Sequence, residues 1–369
     1  RMYPSLAYLK EMINDKEDTR PILLCEYSHS MGNSNGDLKD YWDLINENDI
    51  LMGAFVWEFA DHAIYNKEGK LCYGGDFNET LHDGNFCCDG ILTANREYKS
   101  NTYELLECYK GNLNYDKEIS KCKTLTELPF DKPLKVKLNS DASLSILNKD
   151  ISTIKLNFLR AIIDNDSWAK NDIDIIKNSK IKINYSNQIN NAISNDISLL
   201  YNNEELLKLN LNYTLYNNAI DVSISYEIKK DNIFIQRVGV EFDINKKNDK
   251  FIFFGYGKNE SYIDKRLSSK IGEYQLNVKN NFVNNLKPQE SGSHYYSSYV
   301  IFDDIRIDGI KPFSFNALPY SRENIESSKH IYDLNNEDRT FVSLDVNMSG
   351  IGTGSCGPHL LEKYWIKKS

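Results

Sequence analysis

The run Arg20-Pro21-Ile22-Leu23-Leu24-Cys25-Glu26-Tyr27-Ser28-His29-Ser30-Met31-Gly32-Asn33-Ser34-Asn35-Gly36 decides how this 369-residue chain is read. An apolar stretch led in by a proline has the pattern of a short buried strand, and it gives way to a carboxylate, a tyrosine, a histidine and glycines. A (β/α)8 barrel presents its reactive side chains at the C-terminal ends of parallel strands, which is where this reading puts Glu26. The next two segments agree with it. Asp37 to Ile45 has apolar residues at 38, 41, 42, 44 and 45, a helical face, and Leu51 to Val56 reads as a second strand, so together they make a β-α-β unit.

From about residue 131 the pattern changes to short strands rich in Ile, Leu, Tyr and Val, separated by Asn, Asp and Gly turns. Lys180 to Tyr185, Leu206 to Leu215, Ala219 to Ile228 and Ile233 to Phe242 are examples. Many short strands at regular spacing predict an antiparallel β-sandwich. Lys208 to Leu215 alternates apolar with polar residues, which predicts one buried and one wet face. The expected organisation is therefore an α/β section over 1–104, a linker or remnant over 105–130, and a large sandwich over 131–369.

Composition narrows the partners. A formal net charge of −9 argues against nucleic acid and against an anionic membrane surface, both of which need a clustered basic face. No apolar stretch is long enough to span a bilayer. Seven cysteines, an odd number without repeated spacing, suit reduced thiols in a cytoplasmic protein better than a disulfide framework. Cys87-Cys88 with His82 lacks zinc-ligand spacing, and the glycines at 255, 257, 350, 352 and 354 precede no helical pattern, so they read as turns rather than phosphate loops.

Several motifs follow one another in order: Arg1-Met2-Tyr3; the run around Glu26; Gly53-Ala54-Phe55-Val56-Trp57-Glu58-Phe59-Ala60-Asp61; Tyr73-Gly74-Gly75-Asp76-Phe77; and Phe86-Cys87-Cys88-Asp89-Gly90-Ile91-Leu92. Later come Asn157 to Asp166, Gly255 to Tyr262 with Asp264 and Arg266, Pro288-Gln289-Glu290-Ser291-Gly292, Phe313-Ser314-Phe315-Asn316 and Gly350 to Pro358. In this order they resemble the large bacterial β-galactosidases of glycoside hydrolase family 2. The resemblance implies the C-terminal part of a TIM barrel followed by the family's C-terminal β-sandwich. Because the first motif already matches a late barrel strand, the chain is expected to be a fragment. The family's acid/base glutamate and the magnesium ligands beside it would lie upstream. Only about 25 residues, Glu107 to Pro133, stand where the family has an immunoglobulin-like domain.

What the resemblance implies for individual residues is specific. Glu26 matches the nucleophile, and Tyr3 the tyrosine that hydrogen-bonds it. A retaining glycosidase needs a second carboxyl group roughly 5–5.5 Å from the first to protonate the leaving oxygen. His29 matches a histidine that binds galactosyl hydroxyls; an isolated histidine would ordinarily be structural, and only the motif singles this one out. Trp57, at the end of the second strand, offers a flat indole to the apolar face of a sugar. Phe86, through its carbonyl, and Asp89 match positions that hold a monovalent cation, sodium, beside the sugar, although the family commonly has asparagine at the Asp89 position. His82 lies near a secondary magnesium position. Cys356 stands where several members carry a substrate-stacking tryptophan, and a thiol cannot stack.

The activity implied is retaining hydrolysis of terminal β-D-galactose from lactose-like β-galactosides by a parent enzyme that is a homo-oligomer, with this chain inactive alone. Two other readings stay open: another family 2 glycosidase such as a β-glucuronidase or β-mannosidase, and a non-catalytic carbohydrate-binding or assembly module.

Overall fold

A computed structural model describes residues 1–117, 134–245 and 249–367. The first section holds helix α1 (Leu6–Asn14), strand β1 (Ile22–Tyr27), helix α2 (Leu38–Glu47), strand β2 (Leu51–Val56), the two-residue strands β3 (Ile64–Tyr65) and β4 (Leu71–Cys72), and helix α3 (Ser100–Tyr109). β1 and β2 pair in parallel, with Ile22 opposite Leu51, Leu24 opposite Ala54 and Tyr27 opposite Val56. A parallel pair needs a crossover, and α2 supplies it. Ser5 caps α1 by accepting the Tyr8 N–H at 3.1 Å.

The core of this section joins Leu9, Leu24, Tyr27, Leu38, Tyr41 and Leu105. β1 is not buried on both sides as its apolar run predicts. Ile22, Leu24 and Tyr27 face the core, whereas Leu23 is 41% exposed, and Met52 and Phe55 on β2 are 69% and 62% exposed. The helices cover one face of the strand pair only. Among the described residues the parallel sheet does not close into a barrel. The segment expected as a linker from 105 begins inside α3, and from residue 118 to 130 it lies outside the described residues.

The second section is almost wholly antiparallel β. β5 (Val136–Leu138) and β6 (Leu144–Ile146) form a hairpin, and β7 (Lys155–Asn157) is followed by helix α4 (Lys170–Lys177). Then β8 (Lys180–Ile189), β9 (Ala192–Tyr201), β10 (Glu204–Leu215) and β11 (Ile220–Ile228) make a four-stranded meander. The remaining strands are β12 (Arg237–Asn245), β13 (Lys250–Gly257), β14 (Lys270–Asn277), β15 (Ser293–Phe302), β16 (Ile305–Leu318) and β17 (Arg339–Met348), with short helices α5 (Val278–Asn281) and α6 (Arg322–Ser327) between them. With β7 they build a seven-stranded sheet ordered β14-β13-β15-β16-β17-β12-β7. This much is a β-sandwich architecture: Val136, Ile220, Val222 and Ile224 pack both against the core under the meander and against that of the larger sheet.

The alternation predicted for 208–215 holds on β10, where Leu209, Leu211 and Tyr213 are fully buried. The strand expected over 233–242 starts later, at Arg237, because Phe234 leaves the sheet to pack with Trp168 and Trp365. Gly255 and Gly257 lie in β13 and not in a turn. A Cβ on Gly255 would sit 2.3 Å from the Ser297 hydroxyl, so close strand approach explains that glycine.

The two sections interlock. Leu267, from the loop before β14, is fully buried in the core of the first section. The Glu104 carboxylate on α3 accepts the backbone N–H groups of Arg266, Leu267 and Ser268 at 2.9–3.0 Å. Lys265, itself buried, donates to Asn33, Ser100, Asn101 and Glu260. A buried ammonium is tolerated only when its hydrogens are met in this way.

Candidate active site

Glu26 lies near the end of β1, and the chain start runs alongside it as a short parallel edge. Tyr3 donates its backbone N–H to the Glu26 carbonyl at 2.8 Å, and Cys25 donates to the Arg1 carbonyl at 2.8 Å. This pairing brings the Tyr3 side chain beside that of Glu26, whose negative charge acts on the phenol. Burial, reinforced by the negative charges of Glu26 and Asp89, pushes the Tyr3 phenol well above its ordinary value. It therefore stays protonated, a neutral hydroxyl beside the carboxylate.

Beyond β1 the chain turns sharply. Ser28 has φ +51° and Asn35 has φ +65°, a conformation that non-glycine residues adopt only when held there. The holding bonds run between them: the Asn35 amide donates to the Ser28 carbonyl at 2.9 Å and to the Ser28 and Ser30 hydroxyls at 3.0 Å. The Ser34 hydroxyl donates to the His29 carbonyl. His29 is thereby fixed and almost fully buried, its ring stacked on Phe86 with centroids 5.0 Å apart.

Trp57 follows β2 and is bonded to the β1 turn on both sides. Its N–H donates to the Tyr27 carbonyl and its carbonyl accepts the Ser30 N–H. Its indole N–H reaches Asp89 Oδ2 at 3.0 Å, and the same oxygen stands 3.1 Å from His29 Nε2. The indole remains 39% exposed, which leaves a face open to a ligand. Asp89 Oδ1 is buried without a hydrogen-bond partner. Behind Asp89, Lys99 bonds the Gly90 carbonyl at 2.7 Å and Asp61 at 3.0 Å, while Asp61 accepts the Gly90 N–H. A Cβ on Gly90 would lie 2.0 Å from the Ala60 carbonyl carbon, so only glycine lets the Asp89 loop approach this closely.

The loop after β17 closes the arrangement from the sandwich side. Ser355 Oγ stands 2.9 Å from His29 Nδ1, and Gly357 packs on the Tyr3 ring. Burial, then the Glu26 charge, raises the Cys356 thiol above its ordinary range, so it is a neutral thiol and a poor nucleophile.

Of the residues singled out from sequence, the structure gathers Glu26, Tyr3, His29, Trp57, Phe86, Asp89 and Cys356 around one place. His82 stands apart: it is exposed, packs against Gly75, and its Nδ1 accepts the Gly84 N–H. No group of three or more His, Cys, Asp or Glu side chains able to hold a metal ion occurs among the described residues. The described cysteines other than Cys122, which lies outside the described residues, are all free. Sequence reasoning missed Ser355 and the asparagines at 33, 35 and 165. The available signal was the glycine-rich Gly350–Gly354 run, which marks a loop but does not say where it docks.

Comparison with known proteins identifies the family. Residues 135–369 match the family model described as beta galactosidase small chain, and residues 1–113 match that of the glycosyl hydrolases family 2 TIM barrel domain. The chain belongs to the family 2 β-galactosidases. It is 28% identical to the β-galactosidase of Actinobacillus pleuropneumoniae over 99% of its own length and 49% of that protein. It is 26% identical to that of Staphylococcus xylosus (99% and 50%) and 24% identical to that of Kluyveromyces lactis (99% and 48%). The chain thus spans about half the length of these curated relatives. The first of those alignments extends over 495 residues, well beyond the 369 present here, so the relative carries inserted sequence within the matched span.

Proposed function

We propose that this chain supplies the nucleophile side of a retaining β-galactosidase active site, with the C-terminal part of a (β/α)8 barrel over about 1–104 and the family's sandwich over 131–369. The carrying observation is the placement of Glu26 at the end of β1 with Tyr3 bonded to its backbone, beside the linked His29, Asp89 and Trp57.

The carboxylate of Glu26 attacks the anomeric carbon of a terminal β-D-galactosyl unit, forming a carbon–oxygen bond as the glycosidic bond breaks. The departing oxygen takes its proton from a second carboxylic acid, which the family resemblance places outside this chain. Water then attacks the glycosyl ester, gives a proton to that second carboxylate and frees Glu26. Tyr3 holds the attacking carboxylate oriented. The exposed indole of Trp57 covers the apolar face of the sugar, and the buried His29 backs the Asp89 carboxylate beside it. Cys356 borders the site where an aromatic platform would favour particular leaving groups. Lactose-like galactosides in a cytoplasmic, homo-oligomeric parent enzyme fit this reading.

The unpartnered, buried Oδ1 of Asp89 beside Phe86 fits a monovalent cation such as sodium, which would neutralise that oxygen and help seat the sugar. His82 does not fit a magnesium site with any other described residue, and no role for magnesium is derived from it.

The test uses the natural-length protein that contains this chain. A 2-deoxy-2-fluoro galactoside with a dinitrophenolate leaving group should label the peptide holding Glu26, and Glu26→Gln should abolish lactose hydrolysis. Full activity of the Glu26→Gln enzyme overturns the assignment.

A further inference from the structure

The Ser355 hydroxyl and the His29 imidazole meet across the boundary between the two sections, and the groups around the ring point to one role for each when the imidazole is neutral. Asp89 Oδ2 accepts the Trp57 indole N–H, a group that can only donate. The same oxygen lies 3.1 Å from His29 Nε2, so that nitrogen also carries a hydrogen toward it. A neutral imidazole has one N–H, which leaves Nδ1 with a bare lone pair. Ser355 Oγ, 2.9 Å away, is the group that donates to it. We propose that Ser355 is a positioning residue for His29: it fixes the ring in the tautomer that keeps Asp89 as a pure acceptor and so sets how the Asp89 carboxylate is held beside the sugar. The proposal rests on the galactosidase reading above.

The loop is built to deliver that hydroxyl. The Ile351 and Gly352 N–H groups donate to the Asp264 carboxylate at 2.9 and 2.8 Å. Thr353 donates to Asp37, and the Ser355 N–H donates to Asn165 Oδ1 at 3.1 Å. The Asn165 amide in turn donates to the Asn33 and Gly352 carbonyls, tying the loop to the turn that carries His29. Gly36 leaves no room for movement there, since a Cβ on it would lie 2.1 Å from Asp264 and 2.7 Å from the Gly352 nitrogen. Removing the Ser355 hydroxyl leaves Nδ1 of a ring only 1% exposed without a partner, and lets the other tautomer set a lone pair against the Asp89 carboxylate.

The experiment measures nitrophenyl β-galactoside hydrolysis by the natural-length protein in five variants: Ser355→Ala, Ser355→Thr, His29→Phe, Ser355→Ala with His29→Phe, and Glu26→Gln. His29→Phe keeps a ring against Phe86 and deletes both nitrogens. Ser355→Ala is expected to lower kcat/KM about tenfold, as the loss of one buried hydrogen bond does, with Ser355→Thr returning to within about twofold of the parent. In the His29→Phe background Ser355→Ala is expected to cost nothing further, because the two act as a unit. Should Ser355→Ala fold poorly, Ser355→Cys, a much weaker donor in the same space, is expected to show the same dependence on His29. Parent-like kcat/KM in Ser355→Ala, or losses that multiply in the double variant, overturns the proposal. An active Glu26→Gln variant overturns the galactosidase reading instead, so the two failures are told apart.

Discussion

Asp37 is the residue whose titration the structure makes most consequential. It precedes α2, is 2% exposed, and has the Thr353 hydroxyl 3.1 and 3.3 Å from its two oxygens. Burial, then the neighbouring negative charges of Asp264 and Asp40, push its carboxyl from 3.8 up to about 7. The folded value lies above the unfolded one, so between them the native state holds a proton that the unfolded chain has released. The associated stability is complete below about pH 4 and is lost as pH rises through 7. At about 1.4 kcal/mol for each pH unit between the two values, the loss at pH 8 is at most about 4 kcal/mol. Asp37→Asn copies the protonated form and keeps an oxygen for Thr353. Its stability relative to the parent should rise steadily from pH 4 to pH 8 and then level off. Urea unfolding of both proteins at each pH measures the difference directly, with every shared titration cancelled. A difference that does not change with pH, or an Asn variant that falls further behind as pH rises, refutes the burial argument.

Three other outcomes follow from the packing. Leu209→Ala on β10 removes a fully buried side chain from the meander's core and should cost about 2–5 kcal/mol in urea unfolding. Leu267→Ala should cost a similar roughly 2–5 kcal/mol and raise protease cleavage between the two sections, since this side chain plugs the core of one from a loop of the other. Gly90→Ala drives a methyl group into the Ala60–Asp61 backbone and should displace Asp89, measured as weaker galactoside binding at near-parent helix and strand content by circular dichroism.

The sequence carried the elements well because their signals are local. The crossover β1-α2-β2 follows from an apolar run, a helical face and a second run, and the wet and dry faces of β10 follow from strict alternation over eight residues. What it could not carry was the relation between distant segments. Asn33 is an unremarkable polar residue in a turn until Tyr262, Glu290 and Lys265 are seen to meet it. The exposure of Leu23, in a strand expected to be buried, has the same reason: an apolar residue states a preference, and whether anything arrives to cover it is decided elsewhere in the chain.

The candidate site follows this division. Glu26 and Trp57 are legible because each stands at the end of a strand, whereas Asp89 and His29 are singled out by the family resemblance alone. Ser355 is not legible, because a serine among glycines near the C-terminus has no local pattern that points 326 residues back to His29. Yet the site's electrostatics depend on it: Asp89 and Trp57 settle one imidazole nitrogen, and only the sandwich loop can settle the other. The sandwich is thus more than a cover for the α/β section. It contributes the hydroxyl that completes the hydrogen bonding of a buried histidine, and the Asp37–Thr353 and Asp264 anchors hold that hydroxyl where it is needed.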